Sequence, residues 1–133
     1  MFSKTELIGN VGVDPTMRYT TQGDAVLSFS VATNKSWLPE GSSEWKTKTT
    51  WWKVTAWRKS AEYLAEKLHK GVLVFVEGEV VPDERGGPKI WTAQDGTPRA
   101  SFEISAKTVR ILERTQKGEQ AAESTDAVTD LEM

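Results

Sequence analysis

The chain has 133 residues, no cysteine and one histidine, which is room for one ordinary domain with a real core but not for two. Without cysteine there is no disulfide framework and no thiolate metal site, and the lone His69 argues against a His-rich metal site or a Ser-His-Asp arrangement. Residues 1–114 carry sixteen Lys+Arg and fourteen Asp+Glu, a net of +2, while residues 115–133 carry one lysine and five acids, a net of −4. A mildly basic body with an acidic appendage is a charge layout that suits a nucleic-acid binder. No run approaches the ~20 apolar residues of a membrane span, and the opening Met1–Glu6 lacks the charge-then-apolar pattern of a signal peptide. A cytoplasmic protein without membrane contact is expected.

In chain order, Thr5–Val13 reads as a first strand bent at Gly9 and Gly12. Asp14-Pro15 breaks it, and Thr21–Asp24 reads as a turn. Leu27, Phe29 and Val31 alternate with Ser28, Ser30 and Ala32, a half-buried second strand running on towards Trp37. Leu38–Ser43 has the composition of a loop. A third strand follows from about Trp45 to Trp57, and its last seven residues hold three of the six tryptophans. Alternation places Trp51, Lys53, Thr55 and Trp57 on one face and Trp52, Val54 and Ala56 on the other. The second set reads as core. The first sets large flat rings about a cation, which suits stacked bases and paired phosphates of a single strand; the plainer reading is that a helix or second sheet covers the rings.

Ala61, Leu64, Ala65 and Leu68 recur with helical spacing, so Ser60–Lys70 reads as an amphipathic helix with Ser60 as N-cap and Gly71 as its C′ residue. His69, near its end, reads as solvated beside the C-terminal dipole. Val72–Val81 is a fourth strand, with Val72, Val74, Val76 and Val80 on one face and Leu73, Phe75 and Glu77 on the other. Pro82–Pro88 is a polar loop, and Asp95-Gly96 a hairpin turn between an Ile90–Thr92 arm and a last strand from about Arg99 to Leu112, with Phe102, Ile104 and Ala106 sharing a face. From Thr115 onward the composition is too polar to form a core. The expected fold is all-β: a five-stranded OB-fold barrel with one helix between strands three and four, a long outer hairpin between strands four and five, and a disordered acidic tail. The domain would span residues 1–114 and the tail 115–133.

The chain resembles the bacterial single-stranded DNA-binding proteins over roughly residues 5–112. The resemblance rests on Ile8–Pro15 with Met17-Arg18-Tyr19, on Ala32–Trp37, on Trp51–Trp57, on Lys70-Gly71 with Val76–Glu79, and on Trp91–Gly96, in the family's order. It implies stacking positions at Trp37, Trp51, Trp57 and Trp91, with Trp57 where a phenylalanine is commoner. It implies phosphate contacts at or near Lys35, Lys53, Lys59, Lys70 and Lys89. The expected DNA-binding set also takes in the rest of the third-strand stretch, Trp52, Val54, Thr55 and Ala56. A homotetramer is implied, with first strands pairing (Leu7, Asn10) and sheets packing through Leu73 and Phe75, apolar residues that otherwise form an exposed patch. Two departures stand out. The Val81–Ile90 connection is longer than usual and carries Asp83 and Glu84. The tip Asp130-Leu131-Glu132-Met133, which by resemblance would dock replication and repair proteins, lacks the family's closing proline and aromatic residue; a tail that only aids solubility is the alternative.

The resemblance implies sequence-independent binding and protection of single-stranded DNA in replication, recombination and repair, in the cytoplasm and associated with the nucleoid. No cofactor is expected and no enzyme, since no nucleophile–base pair, phosphate loop or metal cluster is visible. An RNA-binding or primosome-type OB module remains open. So does an adaptor whose tryptophans form a protein interface, although Lys46, Lys48 and Lys53 beside the rings disfavour it, because lysine is depleted in interface cores.

Overall fold

Alternation in the strands and a switch to helical period after Trp57 account for the architecture seen in a computed structural model, which describes residues 1–113. The expected tail, with Asp130, Leu131, Glu132 and Met133, lies outside the described residues. The elements are β1 (Thr5–Val11), β2 (Thr16–Tyr19), β3 (Ala25–Trp37), β4 (Lys46–Trp57), α1 (Arg58–Lys67), β5 (Leu73–Val80), β6 (Lys89–Thr92) and β7 (Pro98–Glu113). The five expected barrel strands are β1, β3, β4, β5 and β7. They hydrogen-bond in the order β1-β5-β7-β4-β3, and Asn10 and Val11 pair with Ala32 and Val31 to close the ring. Closure rests on those two pairs, so the rest of the β1 edge facing β3 stays unpaired. Only β4 and β7 run parallel, because a helix and two further strands intervene between them.

Inward side chains of all five strands form the core: Val11, Leu27, Phe29, Val31, Val54, Ala56, Val74, Val76 and Ile104. The helix adds Ala61 and Leu64 and packs against β3, β4 and β2. β2, which covers Met17 against the core, occupies a stretch whose Asp14-Pro15 break gave no strand signal. Two expected boundaries are corrected. The helix starts at Arg58, directly from β4, with Trp57 at the N-cap position and no side-chain cap, so Ser60 lies inside the first turn. It stops at Lys67 because Leu68 takes an extended backbone that turns its side chain into the core, while its N–H still donates to Leu64 O at 2.8 Å. Gly71 belongs instead to the turn into β5, where its N–H donates to Val11 O at 2.7 Å.

The outer face of β1, β5 and β7 carries Ile8, Asn10, Leu73 and Phe75, with Ile8 opposite Phe75 and Asn10 opposite Leu73. Leu73 and Phe75 are half-buried, so the apolar patch expected there is smaller than the sequence suggests, and Ile8 is its exposed member. Leu7 is a correction: it faces inward and is buried, because a strand that presents Ile8 outward must turn its neighbours in. Asn10 donates its side-chain amide to Gly71 O at 3.1 Å. Val80, although in phase with the core valines, is exposed beyond the barrel. Lys4 pairs with Glu77, which holds that carboxyl below its ordinary range and the ammonium above its own. Among the described residues no helix is long and apolar enough to cross a membrane.

β5 and β7 slip by one residue between Glu77 and Gly78, leaving Lys107 as the extra residue of a bulge. A methyl at Gly78 would overlap Ser105 O and the Ala106 Cα. Because both obstacles are backbone, Gly78→Ala is expected to cost about 1–3 kcal/mol, measured as a lowered denaturant midpoint with an unchanged slope.

Candidate nucleic-acid interface

In β4 the inward positions Val54 and Ala56 are sealed and Trp52 is half-buried, while Trp51, Lys53 and Trp57 are exposed. Val54 and Ala56, included in the expected binding stretch, are therefore corrected: their side chains pack the barrel and reach no surface. Trp52 packs on the core, donates its indole N–H to Thr33 Oγ1 at 2.9 Å, and leans on Phe102 with ring centroids 5.2 Å apart. Phe102 shares the core parity of Ile104, but the wall of the barrel ends there and its ring is 57% exposed.

The outer face of β4 continues across β7 to β6. Lys53 is in register with Glu103 and Thr55 with Ser105, while Lys89 is in register with Ser101. Alternation puts Ser101, Glu103 and Ser105 on one face of β7. Each has a partner in the surface. Trp57 donates its indole N–H to Ser105 Oγ at 3.2 Å, Trp91 donates to Ser101 Oγ at 3.1 Å, and Lys89 Nζ lies 3.4 Å from Glu103 Oε1. Two indoles are thus tethered by the edge, and both residues stay partly open to solvent. Trp51 is placed differently: a Cβ on Gly12 would overlap the edge of its ring and Ser30 Oγ, so the ring lies over the glycine. Trp51, Trp57 and Trp91, exposed by 55%, 44% and 47%, share this face with Lys53, Thr55 and Lys89.

Trp37 and Lys35 do not. In the β3–β4 hairpin Trp37 pairs with Lys46 and Lys35 with Lys48, so both share the parity of Trp52 and occupy the opposite face of the ribbon from Trp51. Lys48 Nζ sits 5.8 Å from the centroid of the Trp37 ring, a cation–π distance. Lys35 opposite Lys48 sets two like charges together, which favours an anion between them. The other face of the hairpin is tied by Ser36 to Thr47 and by Thr49 to Asn34. Lys59 is exposed in the first turn of α1, and Lys70 lies in the turn after it, its backbone N–H accepted by Asp14 Oδ1 at 3.0 Å.

Sequence reasoning missed Ser101, Ser105 and Glu103, although the polar alternation of Ser101-Phe102-Glu103-Ile104-Ser105 marks that face. It also missed Gly12 as the floor under Trp51 and gave no role to Trp45, which is exposed before β4. No group of His, Cys, Asp or Glu able to hold a metal occurs among the described residues. What the arrangement offers is flat apolar faces held apart along a sheet, with cations between them.

Residues 2–112 match the sequence profile of the Single-strand binding protein family. Among curated proteins, the chain is 34% identical over 114 residues to "Single-stranded DNA-binding protein 1" of Xylella fastidiosa (strain 9a5c), covering 86% of this chain and 79% of that one. Among solved structures it is similar to a Plasmodium falciparum SSB complex with ssDNA, at a TM-score of 0.62 and 28% identity over 84% of this chain and 93% of that one. It shares the fold of a small single-stranded DNA-binding protein from Streptomyces coelicolor, with a TM-score of 0.67 and 22% identity over 82% of this chain and 93% of that one.

The two neighbouring tryptophans of β4 should separate cleanly. Trp52→Ala opens a void against Phe102 and the core and orphans Thr33 Oγ1, an expected loss of about 3 kcal/mol. Trp51→Ala removes a ring from the surface and should change stability by about 0.5 kcal/mol or less. Chemical denaturation of both variants reads the difference.

Proposed function

Because the chain belongs to the single-strand binding protein family, we propose that it captures single-stranded DNA independently of sequence, stacking bases on Trp51, Trp57 and Trp91 and pairing phosphates with lysines. The observation that carries this reading is the shared face itself: three exposed indoles, two held by their N–H, with Lys53 and Lys89 among them. Every base offers a π face, so stacking discriminates little between bases, and each stack contributes roughly 1–3 kcal/mol. Trp51 and Trp57 are six residues apart in one strand, about 20 Å, which spans several nucleotides rather than one. Trp37, with Lys35 and Lys48, is the further stacking position of this reading. Lying on the reverse of the hairpin, it requires the bound strand to pass around the ribbon. Lys59 and Lys70 lie off the sheet, where they serve the flanks of the path. Lys89 must exchange Glu103 for a phosphate. Duplex is a poor ligand because its bases already stack on one another, and the reading assigns no reaction to the chain.

The cellular roles that follow are covering exposed strands in replication, recombination and repair. A homotetramer also belongs to this reading. Two features support it: the apolar Ile8, Leu73 and Phe75 on one outer face, and the β1 edge opposite β5, which pairs with β3 only at Asn10 and Val11 and leaves Thr5–Ile8 open to a second copy.

Tryptophan fluorescence titrated with a thymine oligonucleotide should be strongly quenched, and with duplex of equal length left nearly unchanged. A matched RNA oligonucleotide distinguishes an RNA-binding module. The logarithm of affinity should fall linearly with that of salt, and Lys53→Ala should flatten the slope by about 0.7, one phosphate contact. Quenching by neither nucleic acid would favour the adaptor.

Light scattering should give a mass of four chains, and Phe75→Glu should lower it, because a carboxylate at a closed interface loses its water without gaining a partner. A natural protein running as a monomer would exclude the assembly.

A further inference from the structure

Arg58 is the only residue other than glycine with a positive φ among the described residues, at 56°. It stands between β4 and α1 with no loop, so the chain must turn from an extended Trp57 into the helix at this one residue. A side chain in the left-handed region is strained, and glycine would relieve the strain. The Arg58 side chain does not compensate by packing, since it is 75% exposed. Its ion-pair partner is Asp24 Oδ2 at 3.8 Å, a long and partly exposed contact of the kind that adds little to stability. The backbone favours glycine here and the folded state gains little from arginine. Arg58 nonetheless lines an open cleft of about 440 Å³ between the Gly23–Ala25 turn and Trp57–Ser60, together with Trp57 and Lys59. Asp24 and Glu62 are the carboxylates of that cleft.

We propose that Arg58 is a phosphate-binding residue of the single-strand site, taking the backbone phosphate next to the base stacked on Trp57. This rests on the function proposed above and extends its path past the end of β4. A guanidinium offers paired donors to two phosphate oxygens, a geometry an ammonium lacks. Asp24 holds the guanidinium at 3.8 Å, a distance that a phosphate improves on, so binding exchanges a weak carboxylate contact for a closer charge-assisted one. Trp57, fixed at its indole N–H by Ser105, sets where that phosphate lies.

The test uses the full chain, a thymine oligonucleotide and fluorescence titrations over a range of salt. Arg58→Lys and Arg58→Gln both keep a side chain on the strained backbone and differ from each other in charge. Arg58→Lys should keep the natural salt slope, and Arg58→Gln should flatten it by about 0.7 and bind several-fold more weakly at low salt. Arg58→Gly should raise the thermal midpoint by relieving strain and yet bind as weakly as Arg58→Gln. Asp24→Asn should tighten binding at low salt by removing the competing carboxylate. An Arg58→Gln variant with the natural slope and affinity would overturn the role of Arg58 while leaving the parent reading intact. Natural protein that quenches with no oligonucleotide would overturn that reading, and this proposal with it.

Discussion

The interior of a five-stranded barrel is narrow, and β4 is part of its wall, paired with β3 on one side and β7 on the other. Val54 and Ala56 fill the space available to β4, against Val31, Leu27 and Ile104. A slip of one residue in the β3–β4 register would exchange the two faces of the strand. It would drive Trp51, Lys53 and Trp57 into a volume shaped for valine and alanine and strip a lysine of water without a partner. The size limit of the core is thus what turns the aromatic and cationic residues of β4 outward. Nothing at the surface has to hold them there against an alternative.

Orientation of the rings is a separate matter, and β7 supplies it. Its inward Ile104 secures the strand to the core. Ser101 and Ser105 then point to the surface at the spacing that meets one indole from β6 and one from β4. A hydroxyl bond to an indole N–H is modest in energy, about 1 kcal/mol net, but it removes ring rotation that a ligand would otherwise have to restrict. Glu103 between the serines works in the other direction, pairing with Lys89 and standing in register with Lys53. A carboxylate set among lysines lowers the local positive potential of this face.

The distribution of strain and charge at the far end of β4 fits the same logic. A strand that runs directly into a helix needs an unusual backbone at the junction, and the arginine there is exposed and weakly paired. Local discord between residue type and backbone is a common mark of a position held by function rather than by folding.

Much of this was readable from the chain wherever one element decides its own outcome. The period of Trp51–Trp57 sorted core from surface in β4, the helical spacing of Ala61, Leu64, Ala65 and Leu68 found three buried residues and a partly buried one, Ala65, and Asp95-Gly96 turns the β6–β7 hairpin as its composition requires. The motifs in their order carried the family and the OB-type barrel. What the chain alone left open depends on pairing between distant strands. Trp37 and Trp51 look like members of one platform in sequence, and only the β3–β4 register puts them on opposite faces of a ribbon. The sequence offers Leu7 to a second copy, and β1 turns it inward. Ser101 and Ser105 acquired partners from two other strands, and Gly12 became the seat of a ring nearly forty positions away. Periodicity is set by the geometry of a single strand, whereas register, ring placement and side-chain partners are set by closure of the barrel, to which every strand contributes.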